Sequence, residues 1–223
     1  MSAPIGTQEP ALAGWLGLWS EALGTPLAAE LRHHLTQTGE ALLAAYREPQ
    51  RHYHTLQHLQ ECLALFDSVR SSSTEHPAEV GLALWFHDAI YEVHRHDNEA
   101  RSADWAVRVA GRAGLPTAAT QRLRELVLVT RHDGAARTRD EQCLVDIDLA
   151  ILGASPERFD EYEAQVRREY RWVPGPLFRS KRREILKVFL ARQPLYHSDA
   201  LAQRLEAPAR TNLQRSLQAL GGA

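Results

Sequence analysis

Apolar positions along this chain recur at intervals of three and four residues, the spacing that gathers one face of an α-helix. Residues 10–23 and 26–47 read as an amphipathic helical pair, the second opened by Pro26, whose fixed φ suits a first helical turn. Leu59, Cys62, Leu63 and Phe66 form the buried stripe of a helix from Thr55 to Val69, with Thr55 placed to cap it and Ser71-Ser72-Ser73-Thr74 as the loop beyond. Pro77 opens a fourth helix. Asp97 can cap a fifth running to about Ala113, which Gly114-Leu115-Pro116 ends. Further helices are predicted over 117–131, 140–152, 156–172, 177–192 and 198–219, the last broken near Pro208, with Val-Pro-Gly-Pro at 173–176 as a turn. Alternating strand patterns with hairpin turns, internal repeats and low-complexity blocks are all missing. The pattern predicts one all-α domain over 1–223, a bundle of helices.

Several polar residues break the apolar segments. The run Val80-Gly81-Leu82-Ala83-Leu84-Trp85-Phe86 ends in His87-Asp88 and resumes with Ala89-Ile90. A carboxylate in such a run is costly to bury unless it is paired or binds a metal. The bland alternative is a helix C-terminus where a His and an Asp meet solvent. Leu144 to Leu152 repeats the oddity: Leu144, Val145, Ile147, Leu149, Ile151 and Leu152 make this segment apolar nearly all round, with Asp146 and Asp148 inside it. Two residues apart means roughly 200° around a helix, so the two acids cannot face one site. Asp148 shares the stripe Leu144, Ile147, Ile151 and is the inward candidate. Asp146 reads as the partner of a neighbouring Arg. His54 and His58 are four apart, on one side of a regular helix start, beside Arg51 and Tyr53, while His52 is the exposed alternate. Two imidazoles with two carboxylates suit a divalent first-row metal with positions left open for water and substrate.

His58, His87-Asp88 and Asp148, in that order over roughly residues 47 to 152, resemble the ligand set of the HD-domain superfamily, all-helical metal-dependent phosphohydrolases named for their His-Asp pair. The resemblance implies a single HD-type bundle, its metal-ligand body at about 47–152 and C-terminal helices 156–220 packed on it, in which His58, His87, Asp88 and Asp148 bind the metal. Tyr53-His54 with His58 is also similar to the cyclic-nucleotide phosphodiesterase branch, where a comparable His protonates the leaving group. That branch has Asn where this chain has Thr55, and this chain is much shorter, so the likeness is one of chemistry. RHYHTLQHL, HDAIY, DNEARSA, DIDLAILG, VRREY, KRREILKVFL and EAPARTNL together resemble a small bacterial family of predicted HD phosphohydrolases over nearly the whole chain. A departure is Lys181, where that pattern expects Gly before Arg182.

Composition narrows the partners. The chain has 26 Lys and Arg against 28 Asp and Glu, too even a balance for broad binding of a nucleic-acid polymer. Cys62 and Cys143 lie in apolar stripes without metal-type spacing and read as reduced core residues of a cytoplasmic protein. The first residues lack a basic n-region and soon meet Glu21, so a signal peptide is not expected. No stretch approaches the length of a membrane span. Basic residues offer phosphate contacts: Arg51 beside the first His pair, and Arg182 in the cluster Lys181 to Arg183, whose bland reading is a solvated helix face. His132 reads as a ligand for a second metal or a phosphate contact. Asn98 and Glu99 face the cavity or cap the helix they open, and His94 and His96 read as surface residues.

The expected function is metal-activated hydrolysis of a small phosphorylated metabolite or nucleotide. Asp88 would orient or deprotonate the water, and His54 would donate to the leaving oxygen. The metal is one of Mn, Mg, Co, Ni, Fe and Zn; the count of ions, the substrate and the oligomeric state are left open. The alternatives are a di-iron oxygenase on the same framework and a non-catalytic, metal-containing ligand-sensing module.

Overall fold

The computed structural model describes residues 10–221. Ten α-helices follow in chain order: α1 Leu12–Leu23, α2 Ala29–Ala45, α3 Leu56–Ser73, α4 Pro77–Phe86, α5 Asn98–Ala113, α6 Thr117–Val129, α7 Arg139–Asp148, α8 Pro156–Glu169, α9 Gly175–Ala191 and α10 Asp199–Gly221. A 3-10 turn, Leu149–Gly153, joins α7 to α8. There is no strand among the described residues, and the all-α reading holds. None of these helices is long and apolar enough to cross a membrane.

Packing follows from α4. Every residue from Ala78 to Phe86 is buried, so this helix has no solvent face and must lie at the centre. It packs against α1, α3, α5, α6 and α7. Trp15 of α1 meets Trp85 and Phe86 at 5.2 and 5.6 Å between ring centroids. Its indole N–H, which would otherwise be a buried orphan, donates to Leu35 O at 2.7 Å. Gly81 lets α1 approach, since a Cβ there would stand 2.6 Å from Leu18 Cδ2. Leu35, Leu42, Leu59 and Leu82 are fully buried in this core, and each contributes roughly 1.5–3 kcal/mol of apolar transfer.

A second core is built by Tyr53, Leu152, Phe159, Tyr162, Leu186, Leu195, Tyr196 and Leu213. The two cores share α7 and the turn that follows it: Cys143, Leu144 and Ile147 belong to the first, and Val145 with Leu149 of the turn belongs to the second. The hydrophobicity of this segment on nearly all sides therefore reflects its place at a seam. Where α10 crosses the 3-10 turn, Gly153 is in backbone contact, and a Cβ there would stand 2.8 Å from Leu205 O. Gly153→Ala is expected to lower stability by about 1–3 kcal/mol, because a main-chain oxygen cannot swing aside. A urea midpoint equal to wild type would contradict that close approach.

Buried carboxylates replace several local caps. Thr55 makes no capping bond for α3. Instead Glu169 Oε1, from the end of α8, accepts the N–H groups of His52, Tyr53 and His54 at 2.8, 2.8 and 3.1 Å. Asp97 does not cap α5 either; it turns to Arg95 at 2.7 Å. Asp140 takes Glu75 N at 2.6 Å and His76 N at 3.1 Å before α4. Asp146 takes His197 N and Ser198 N at 2.8 and 2.7 Å before α10. The partners of Asp146 are thus backbone amides and the His197 ring, not an Arg: a carboxylate in the seam satisfies the free N–H groups that open α10. Pro208 does not break α10. It and Arg204 are exposed, so the carbonyl that loses its usual donor faces water.

Candidate metal centre

His58 projects from the first turn of α3, His87 and Asp88 from the C-terminal end of α4, and Asp148 from the last residue of α7. Each chain segment is locked by apolar neighbours, so the four side chains meet without a local motif. His58 Nε2 lies 3.1 Å from His87 Nε2, 3.2 Å from Asp148 Oδ1 and 3.5 Å from Asp88 Oδ2. His87 Nε2 lies 3.0 Å from Asp88 Oδ2 and 3.7 Å from Asp148 Oδ1. Donors held ~2.1 Å from a tetrahedral ion stand about 3.4 Å apart. The spacing in the cluster matches that arrangement.

Electrostatics agree with a cation at this point. His87 Nδ1 meets Leu84 O at 2.8 Å; a carbonyl only accepts, so Nδ1 carries a hydrogen and Nε2 is the nitrogen turned toward the cluster. Burial alone would lower the pKa of His87, but Asp88 and then Asp148 push it up to about 9. Burial would raise Asp88, yet His87 and His54 hold it well below the usual carboxylate range. Asp148 is held down likewise, by the His132 and His58 hydrogen bonds acting against burial. Two carboxylates and two imidazoles thus await positive charge in a desolvated space.

Cys62 is a further candidate, since His58, Cys62, His87 and Asp148 each offer an atom within 4.8 Å of the others. Its Sγ stands 3.7 and 3.8 Å from the two ring nitrogens of His58, off the line of the Nε2 lone pair. Burial and the neighbouring carboxylates push its thiol well up, so a thiolate there is disfavoured. Asp88, a carboxylate 3.0 Å from His87 Nε2, competes with Cys62 for the fourth position.

The cluster is closed on the imidazole side and open on the other. Side-chain exposure is 2% for His58 and 1% for His87, but 15% for Asp88, 13% for Asp148, 20% for His132 and 22% for His54. A cavity of about 200 Å³, lined by His58, Cys62, Ile147, Asp148, Ile151 and Arg158, adjoins it. A larger groove of about 940 Å³ lies between α1 and α3 and contains none of the four ligand candidates.

His54 is held beside the open side. Its Nδ1 is 2.8 Å from Glu169 Oε2, which also accepts from Tyr91 Oη at 3.0 Å, and its ring stacks on Tyr91 with centroids 4.0 Å apart. Burial opposes a charge on this ring, but Glu169 and then Asp88 raise its pKa above the ordinary histidine value. Burial opposes the Glu169 charge too, yet His54 and the backbone amides bring its carboxyl down to about 2. Glu169 was not singled out by the motif reading. Its signal is the apolar stripe Phe159, Tyr162, Val166 of α8, on which an acid falls.

The remaining expected site residues divide. His132 joins the cluster, with Nε2 2.9 Å from Asp148 Oδ2. Arg51 does not reach into the open side. Its guanidinium is buried and donates to Asp88 O at 2.5 Å, to Ala89 O at 3.0 Å and to Glu48, fixing the end of α4 behind the ligands. Arg182 is buried against Glu163 and over the Tyr162 ring. Asn98 bridges the main chain of Glu92, accepting at 3.2 Å and donating at 3.1 Å, so it shapes the loop before α5. Glu99 is half-buried in the first turn of α5 and makes no hydrogen bond to the cluster among the described residues. No family model, curated protein or solved structure matches this chain.

Proposed function

We propose that this chain is a metal-dependent phosphohydrolase of the HD-domain type, acting on a small phosphorylated metabolite or nucleotide. The observation that carries the reading is the pairing of an open-sided cluster, His58, His87, Asp88 and Asp148, with a charged imidazole held beside it. A purely structural metal site closes all its positions. Here the ligand candidates are sealed on one side only, and His54 faces the other.

A divalent ion in the cluster supplies Lewis acidity toward a phosphoryl oxygen and acidifies a water. The protein does the rest. His58 and His87 present neutral nitrogens from rigid helices, and Arg51 holds the main chain of Asp88 so that its carboxylate keeps its angle. Asp88 accepts a hydrogen bond from the attacking water and aligns it. His54, kept protonated by Glu169, delivers its proton to the leaving oxygen from Nε2, the nitrogen Glu169 leaves free. Tyr91 stacks on the ring and fixes its plane.

The test is phosphate release from mononucleotides, sugar phosphates and single-stranded oligonucleotides, with Mn, Mg, Co, Ni, Fe or Zn supplied, at low and physiological salt. Release from small phosphoesters, with oligonucleotides left intact, is expected. Steeply salt-dependent oligonucleotide binding with cleavage, and no turnover of any small phosphoester, would contradict it.

A further inference from the structure

Buried and half-buried arginines around the cluster mostly face carboxylates: Arg51 faces Glu48, Arg158 faces Glu61, Arg182 faces Glu163 and Arg210 faces Glu206. Arg192 is different. It is half-buried at the end of α9, and its side-chain contacts are Nη2 to His132 O at 3.4 Å and the Phe189 ring, 5.1 Å from the guanidinium carbon. Burial alone holds its guanidinium below the ordinary arginine value, and among the described residues no carboxylate offsets that cost. A cation kept partly out of water without a counter-ion is unfavourable in itself.

Its position is built. Arg210 donates to Leu190 O at 3.1 Å and to Arg192 O at 2.8 Å, pinning the main chain from which Arg192 projects. His132 has φ of 55°, the left-handed region that costs a non-glycine residue on the order of 1 kcal/mol. That turn sends one end of His132, its ring, to Asp148 and the other, its carbonyl, to Arg192. Arg192 is therefore linked to Asp148 of the ligand cluster through a single residue, His132.

We infer that Arg192 receives a second anionic group of the substrate, so that the compound bound here carries a phosphoryl group at the cluster and a further phosphate or carboxylate beyond His132. The inference rests on the phosphohydrolase reading for the first of those groups. A planar guanidinium suits either anion by paired N–H donation.

The experiment compares binding to manganese-loaded protein by calorimetry, using methylenediphosphonate, phosphonoacetate and inorganic phosphate as probes, for wild type, Arg192→Gln and Arg192→Lys. Manganese content is measured alongside, to show that the centre is intact. In wild type at least one bis-anionic probe should bind more tightly than phosphate. Arg192→Gln should weaken that probe about tenfold or more, the scale of one charge-assisted hydrogen bond, and leave phosphate within about twofold. Arg192→Lys should recover part of the loss. Which probe responds tells phosphate from carboxylate. Equal effects on all three probes, no effect on any, or no preference in wild type would overturn the inference. Because binding is read without turnover, a protein that shows this pattern but hydrolyses nothing would refute the hydrolase reading and leave the subsite standing.

Discussion

His87→Ala and Asp88→Ala are each expected to leave purified protein without its divalent ion, whereas His54→Ala keeps the full metal content and loses about 10²–10⁴-fold in turnover. The difference follows from the geometry. His87 Nε2 and Asp88 Oδ2 are 3.0 Å apart and face the shared centre, so removing either opens the ligand set. His54 is committed to Glu169 through Nδ1 and adds no donor to the cluster. Metal analysis and rates on the same preparations check both halves; metal loss in His54→Ala equal to that in His87→Ala would make His54 a ligand and remove it as the acid. The pKa of His87 adds a pH test. Metal-free protein holds a proton on His87 up to about pH 9, and an entering ion must displace it. Metal affinity should therefore rise with pH, by up to about tenfold per unit, until about 9. The linkage sign for the metal-free protein is the opposite. A histidine raised from about 6.5 stabilises the fold fully below 6.5, and that stabilisation is lost as pH climbs to about 9.

Glu169→Ala should be the most destabilising single change near the site, on the order of 3–5 kcal/mol, because it leaves three backbone N–H groups and the charged His54 ring without their acceptor. Glu169→Gln is the milder probe, keeping an oxygen for the amides and removing the charge. Its turnover should fall toward that of His54→Ala, and the double variant should be no worse than His54→Ala alone, since both remove one function. Additive losses would separate the two residues. The pH dependence has a definite sign. Glu169, lowered from about 4.3 to about 2, stabilises the fold above about pH 4.3 and ceases to do so as pH falls through about 2. His54, raised, contributes fully below about 6.5 and loses its contribution as pH rises through its folded value. The stability gap between wild type and Glu169→Gln is therefore greatest between about pH 4.3 and 6.5. Denaturant titrations at pH 3, 5.5 and 8 read it directly.

Helix periodicity carried most of the fold, because the helical segments have apolar stripes or Pro and Gly boundaries that the chain states locally. The short polar intrusions pointed to the grouping of His58, His87 and Asp148 for the same reason, since each falls where an apolar residue is expected; Cys62, read from the sequence as a core residue, stands with them. What local pattern could not show was action at a distance. Thr55 looks like the cap of α3, yet the amides there are taken by Glu169, more than a hundred residues later. Arg51 looks like a phosphate ligand because it neighbours His54; the fold turns it backward to brace Asp88 O. Arg182 likewise has its counter-ion on α8. Arg192 carries no motif at all, and its interest lies in a missing partner, which only the packed chain reveals. The 3-10 turn after Asp148 was hidden too, since a tightened turn keeps the hydrophobicity of the helix it ends.

The central claim is a metal held by two imidazoles and two carboxylates, with the open side facing His54. X-ray absorption at the edge of the bound metal in loaded protein tests it most directly. The account predicts a shell of nitrogen and oxygen donors near 2.1 Å containing two imidazole rings and no sulfur. A sulfur donor near 2.3 Å, the mark of Cys62, or a shell without imidazole would contradict it.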